Sequence, residues 1–500
     1  KAVTTITSEN GPNIITVLLE SFVDPYEYNF MTYSQDPTPF FHYLEDNFTS
    51  GYMQTPVVGA GTANAEFEIL TGMKLQYFGT GEYPYKTIIK ETDCESVAAV
   101  MKSLGYGTHA VHNNGGKFYS RDNSFSMMGF DSFTSKEMMD ITDFTPTEDW
   151  AEDSMLAEEI IKTLTSTENQ PDLTYGITVG SHGVYAEEEV LQNPYCEVYG
   201  LESEADTNKW TYYMHQINKT DQFMQELCAG LNALDEDTIV VFWGDHLPTM
   251  GLEDSDMVSG DIYKTKYVTW NNFGLEENDK DLYAYQLMSD VLNTIGVHDG
   301  TMVAYHQTQS DREYQDYIDG IEMLQYDILY GDRYCYENGV TPYPPTNIVM
   351  GIDRIYINDV YLSKEVKNIL KVVNADNFVK VVDALSSSDA FDQIVVPVYN
   401  KFLLSRFTGS VYDLLDLTGY TPELLNKDMQ IATIMVRDFK VAKELIVETH
   451  DNIHNPVCIS AVEDFIYQAF LLNVADMKKQ DVIVFLDTVK PSLNFDEIDL

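Results

Sequence analysis

The chain has 500 residues, 30 Lys and Arg against 80 Asp and Glu, and a formal net charge of −50. That charge repels phosphate backbones and argues against nucleic-acid binding, while 44% hydrophobic and 12% aromatic residues rule out global disorder. No apolar run reaches the roughly 20 residues that cross a bilayer. Five scattered cysteines (Cys94, Cys196, Cys228, Cys335, Cys458) with no C-x-x-C spacing argue against a thiolate metal site and a disulfide framework.

In chain order, 13–19, 107–111, 173–179, 238–243 and 267–270 read as buried strands, because they are β-branched, free of charge and flanked by Gly, Asn or Asp. The stretches 149–167, 206–234 and 281–295 read as helices, each opened by an Asp suited to capping. Alternating strands and helices predict an α/β fold with a mostly parallel sheet flanked by helices, and ligands then gather beyond the carboxyl ends of the strands.

A Pro-rich stretch at 341–345 (T-P-Y-P-P) marks a change in composition. Residues 1–345 carry 57 acidic and 16 basic side chains, whereas 346–500 carry 23 and 14. We therefore expect one domain over 1–345, a linker with a short strand over 346–362, and a mainly α-helical domain of unknown role over 363–500. In that last part Val366, Ile369, Leu370 and Val373 recur at helical spacing. The chain opens on Lys1 rather than Met, which leaves room for an upstream signal or membrane segment.

Several predicted strand ends carry polar residues where a buried strand should simply turn. The strand at 13–19 ends in Glu20, that at 238–243 runs into Gly244, Asp245 and His246, and that at 173–179 runs into Gly180, Ser181 and His182. A Gly-rich turn, 59–66 (G-A-G-T-A-N-A-E), places Thr62 at the start of a helix. Glu20, Asp245 and His246 offer two hard oxygens and an imidazole, a suitable set for a divalent cation. A metal-bound Thr62 hydroxyl at a helix N-terminus would lose its proton readily and attack phosphorus or sulfur. Taken singly, each is more often a plain turn residue or cap, and their common placement carries the argument.

The segments 13–22 (N-I-I-T-V-L-L-E-S-F), 59–67 (G-A-G-T-A-N-A-E-F), 112–122 (H-N-N-G-G-K-F-Y-S-R-D) and 243–248 (W-G-D-H-L-P) resemble successive motifs of the lipoteichoic acid synthase family. These are sulfatase-like phosphoglycerol transferases of the alkaline-phosphatase-like superfamily. The resemblance covers roughly 10–361 and does not extend to 363–500. It implies Glu20, Thr62, Asp245 and His246 as ligands of one divalent ion, most often manganese, with magnesium or zinc as alternatives, and Thr62 as nucleophile. It further implies Tyr119 and Arg121 as holders of a glycerol phosphate and His182 as a substrate-side residue. Arg121 is one of only six arginines and its fork suits phosphate, although a structural pairing with one of 80 carboxylates is the competing reading.

What the resemblance implies is transfer of glycerol phosphate from phosphatidylglycerol to a polyglycerolphosphate or glycan acceptor through a threonine-linked intermediate, on the extracellular face of a bacterial membrane or in secreted form. The membrane spans of full-length synthases are missing from this sequence, so a membrane surface would be reached through an absent N-terminal anchor, and the helical domain would bind an unknown partner. A true sulfatase fits poorly, since Thr62 is followed by Ala63, Asn64 and Ala65 rather than by the C/S-x-P-x-R context. A two-zinc phosphatase needs further ligands, and the next histidines after His246 are His298 and His306. Another phosphotransferase or hydrolase of the superfamily, or a non-catalytic surface-binding protein, remain the alternatives.

Overall fold

The computed structural model describes residues 11–352 apart from 140, 148, 167–169 and 347, together with 4 and 6. The chain divides into two compact units, Lys1–Ile348 and Val349–Leu500. The helical domain expected at 363–500 and most of the linker expected at 346–362 lie outside the described residues.

The first unit is α/β. Its strands are β1 (Asn13–Leu19), β2 (Thr32–Tyr33), β3 (Ser50–Gln54), β4 (Gly107–His112), β5 (Ser132–Ser135), β6 (Asp172–Ile177), β7 (Val198–Tyr199), β8 (Thr238–Gly244), β9 (Lys264–Asn271) and β10 (Leu282–Tyr283). Eight of them line up in one sheet in the order β10-β3-β9-β8-β1-β6-β4-β5, and β2 pairs with β7 apart from it. Only β9 runs against the others, antiparallel to both β3 and β8. The mostly parallel sheet expected from the sequence is present, and the direction of β9 was not readable because a buried apolar run carries no sign of it.

The helices are α1 (Pro39–Asn47), α2 (Thr62–Thr71), α3 (Val97–Ser103), α4 (Arg121–Met127), α5 (Met155–Ser166), α6 (Glu204–Asn232), α7 (Ala284–Thr294), α8 (Thr301–Gln309) and α9 (Tyr314–Leu329). Alternate residues of β1 (Ile15, Val17, Leu19) share one buried hydrophobic cluster with Leu44 of α1, Ile160 of α5 and Ile217, Phe223 and Leu227 of α6. Each such side chain, fully buried, contributes about 1.5–3 kcal/mol. Helix α6 opens on Ser203, whose hydroxyl accepts from the Asp206 amide, so the cap is a serine three residues ahead of the aspartate the sequence suggested.

Register positions the site. Leu19 of β1 pairs with Gly244 of β8, so the next residues, Glu20 and Asp245, leave the sheet side by side. Leu18 pairs with Ile177 on the other flank, and the Thr178 hydroxyl accepts from the Glu20 amide at 2.8 Å. The closest approach of β8 to the turn after β1 demands glycine. A Cβ on Gly244 would stand 2.1 Å from the Phe22 carbonyl oxygen.

Candidate active site and metal centre

The four residues expected as metal ligands converge. Glu20, Asp245 and His246 are all buried, and one ligand atom from each lies within 4.8 Å of the others. Thr62 heads α2, after Gly61 in a left-handed conformation (φ 100°) where a Cβ would also press on Val57. From there its Oγ1 lies 3.2 Å from Glu20 Oε2, to which it donates, and 3.4 Å from His246 Nε2.

Fixed hydrogen bonds aim the donors. Asp245 Oδ1 accepts from the Ser21 amide at 2.8 Å and from the His246 amide at 2.9 Å. Its Oδ2 is buried and has no hydrogen bond among the described residues, although His246 Nε2 stands 3.2 Å away. His246 Nδ1 lies 2.9 Å from the Leu247 carbonyl, so it carries the proton and Nε2 presents its lone pair to the cluster. The Ser21 hydroxyl donates to Glu20 Oε1 at 2.9 Å.

Electrostatics point the same way. Burial, reinforced by the charge of Glu20, holds Asp245 up at about 7. Burial opposes a charge on His246, yet Asp245 and Glu20 outweigh it and raise its pKa. Without a cation the site thus gathers protons in its place. An orphan carboxylate oxygen, a second carboxylate, a preset imidazole and a hydroxyl fit a hard divalent ion.

A second acidic group that could hold a metal, Asp24, His42 and Glu45, answers its charge differently. The Lys266 ammonium sits 2.5 Å from Asp24 Oδ2 and 2.9 Å from Glu45 Oε1. His298 and His306 join neither group. His298 Nδ1 is 2.7 Å from Gln307 Oε1, and His306 Nε2 is 2.7 Å from the Gly72 carbonyl.

Arg121 is buried and bound to Glu66 of α2, its Nε donating at 3.1 Å and its Nη2 also donating to Oε1. The pairing with a carboxylate is therefore real, but it uses one side of the guanidinium. Nη1 has no hydrogen-bond partner among the described residues. The Arg121 Cζ lies 5.2 Å from the centre of the Tyr119 ring, and Tyr119 stacks on Tyr83 at 5.2 Å. Tyr119 and Ser120 are both left-handed (φ 60° and 62°), a conformation that costs roughly 1–2 kcal/mol per residue and persists where the surroundings impose it. Here the Ser120 amide donates to the Lys117 carbonyl and the Asp122 amide to that of Gly116.

His182 stands apart from the four. Its Nδ1 donates to the Gly183 carbonyl at 2.6 Å and its ring packs on Trp150 at 4.4 Å. It lines a cleft of about 450 Å³ together with Tyr185, Lys209, Trp210 and Thr249. Thr249 donates to the Gly59 carbonyl at 2.5 Å, which ties that cleft to the loop ahead of Thr62. Sequence reasoning passed over two buried residues of this region, Glu66 and His112. The partner of Arg121 sits on α2 in the quoted motif, and His112 ends β4 with Nδ1 2.9 Å from the Ile177 carbonyl.

Residues 12–296 match the sulfatase family, more than half of the chain. The chain belongs to the sulfatase family. It is 30% identical over 244 residues to a protein of Rhizobium meliloti (strain 1021) named for cyclic beta-1,2-glucan modification, covering 49% of this chain and 37% of that protein. It is 24% identical over 206 residues to the capsular polysaccharide biosynthesis protein RkpI of the same strain, covering 40% and 35%. The match thus spans little more than a third of the length of these curated relatives. Among solved structures, the Streptococcus pyogenes phosphoglycerol transferase GacH in complex with sn-glycerol-1-phosphate is similar in fold, with a TM-score of 0.57 at 20% identity over 66% of this chain and 88% of that one. Among the described residues no helix is long and apolar enough to cross a membrane.

Proposed function

We propose that the chain transfers a glycerol phosphate group from phosphatidylglycerol to a hydroxyl of a glycan, through a covalent intermediate on Thr62. The observation that carries this reading is the Thr62 hydroxyl, held 3.2 Å from Glu20 and 3.4 Å from His246 at the head of a buried helix, beside the orphan oxygen of Asp245. The phosphoglycerol transferase fold of GacH and the glycan-related names of the two curated relatives support the donor and acceptor classes.

One divalent ion, manganese in this reading, would be held by Glu20, Thr62, Asp245 and His246 and would supply a lowered hydroxyl pKa and charge neutralisation on the phosphate. Thr62 gives up its proton toward Glu20, which already accepts its hydrogen bond. Thr62 Oγ1 then forms a bond to phosphorus, the bond from phosphorus to the diacylglycerol oxygen breaks, and that oxygen takes a proton from water to leave as diacylglycerol while Glu20 returns the Thr62 proton to water. In the second half the acceptor hydroxyl forms the new bond to phosphorus and the Thr62 ester breaks, with the acceptor's proton returning to Thr62. Arg121 Nη1 donates to an unbridged phosphate oxygen while Glu66 fixes the guanidinium plane. Tyr119 packs against the glycerol, and His182 orients the acceptor. A lipid donor puts the chain at the outer face of a bacterial membrane, where an upstream anchor or divalent cations offset the charge of −50.

The test is diacylglycerol release from fluorescent phosphatidylglycerol with and without manganese. Wild type should release it only with the ion, and Thr62→Ala should lose release by about a thousandfold or more while still binding manganese through the other three groups. Release that survives in Thr62→Ala would sink the covalent mechanism.

A further inference from the structure

A second cleft, of about 410 Å³, opens beside α2 and contains none of the four residues of the metal centre. Asn64 and Glu68 of α2, Lys74 beyond its end, Gln54 at the end of β3, and Tyr283 and Tyr285 line it. It is a polar site with unmet demands. Asn64 Oδ1 and the Tyr285 hydroxyl are buried and have no hydrogen-bond partner among the described residues. Lys74 is only 7% exposed, and its ammonium makes no contact ion pair among the described residues, Glu68 acting on it only through longer-range attraction. It lies instead over the Tyr285 ring at 4.3 Å and the Tyr283 ring at 5.7 Å. Buried donors and acceptors left without partners are costly unless a ligand or water answers them.

The charge balance selects the ligand. Glu68 and Glu82 both line the cleft against the one lysine, so a phosphate or carboxylate would meet two carboxylates for each ammonium. Burial also weakens both signs of charge, holding Glu68 up at about 7 and lowering Lys74. The geometry offers an amide, a carboxylate, an ammonium and phenol groups beside a half-buried tyrosine, the chemistry that reads hydroxyls on a ring with an apolar face. The cleft also joins the reacting region. Asn64 lies two residues after Thr62 and its Nδ2 donates to the Glu82 carbonyl at 3.2 Å, and Tyr83, the next residue, stacks on Tyr119.

We propose that this cleft is a saccharide subsite that takes one sugar residue of a neutral acceptor glycan, with its carbon–hydrogen face against Tyr283 and its hydroxyls bonded to Lys74, Asn64, Glu68 and Gln54. The assignment rests on the reading of the chain as a transferase to glycans.

The experiment is calorimetric titration of the full chain, in manganese, with neutral β-1,2-glucan oligosaccharides and separately with sn-glycerol 1-phosphate. Wild type and Thr62→Ala should bind the glucan alike, and Tyr283→Ala and Lys74→Met should each weaken it about tenfold or more with melting curves unchanged. Tyr283 is half-exposed, so its variant keeps the test decisive if the lysine change unfolds the chain. Three results overturn the proposal: no glucan binding to wild type, glucan binding indifferent to Tyr283→Ala, or loss of glycerol phosphate without loss of glucan in Lys74→Met. Diacylglycerol release, measured on the same variants, separates the two readings. Intact glucan binding without any release sinks the transfer reaction alone, and intact release with glucan binding indifferent to Tyr283→Ala sinks the subsite alone.

Discussion

Asp245 is wholly buried, with one carboxylate oxygen held by two amides and the other by no hydrogen bond among the described residues, and Arg121 is buried with one face of its guanidinium held and one nitrogen left over. Each side chain is fixed on one side and left open on the other, and this pre-organisation is what a group that must meet a ligand requires. Glu66 is the residue that fixes Arg121, so Glu66→Gln should leave a buried guanidinium without its charge partner. The expected loss is about 3–5 kcal/mol of stability, read by denaturant unfolding, with a further fall in turnover among molecules that stay folded. A second expectation concerns pH. Burial holds Glu68 and Glu152 up at about 7, as burial and Glu20 hold Asp245. The folded chain therefore keeps protons on these groups that the unfolded chain, with ordinary carboxylates, has already lost. His42, raised to about 9 by Asp24 and Asp36 against its burial, acts in the same direction above its ordinary value. Between about pH 6.5 and 8.5 the metal-free protein should lose stability as pH rises, because the native state binds more protons there. Histidines buried in neutral form, such as His306 at about 4, act in the opposite sense and only below that window, where the unfolded chain takes up the proton they refuse and stability falls as pH drops. Melting temperatures across this range, with and without manganese, check the sign. The ion should recover the share due to Asp245 and leave that due to Glu68 and Glu152.

At the scale of elements, the site depends on two strand ends leaving the sheet together. Gly244→Ala would drive a methyl group into the Phe22 backbone and part the ends of β1 and β8. It should cost at least about 1–3 kcal/mol and weaken manganese binding far more than an alanine elsewhere in β8, which thermal melts and metal titration would show. The same strands were the legible part of the sequence. Strands β1, β4, β6 and β8 are buried on both faces, so they stand out as unbroken apolar runs, and their boundaries fall within two residues of those read from the pattern. Strands β3 (S-G-Y-M-Q) and β5 (S-F-T-S) are short and mixed, with nothing periodic to read. The run 281–295 was read as one helix, but Leu282 and Tyr283 pair with β3 before α7 begins at Ala284. Helix α2 is buried along its whole length although it carries Glu66 and Glu68, so no amphipathic stripe announced it, and only its glycine-rich entry did. The convergence of Glu20, Thr62, Asp245 and His246 was legible because each follows a strand or opens a helix. The Arg121 and Glu66 pairing joins residues 55 positions apart and was not, because any of many carboxylates could have served.

On the scale of the whole molecule, acidity is the dominant fact, and the first 345 residues hold most of it, with 57 acidic side chains against 16 basic ones. A molecule so charged draws divalent ions everywhere, yet a single-ion reaction needs one of them in one place. The cluster of Asp24, Glu45 and His42 would be a rival trap, and Lys266 closes it with a cation that cannot diffuse away. Replacing Lys266 with methionine should open a second manganese site. Titration would then show two binding events per chain where wild type shows one tight event, and two events in wild type would refute this. That lysine sits on β9, the one strand of the sheet that runs against the rest, which delivers its side chain to Asp24 just beyond β1. The reversed strand is thus the means by which the protein supplies its own permanent counter-ion, reserving the exchangeable one for the place where chemistry is done.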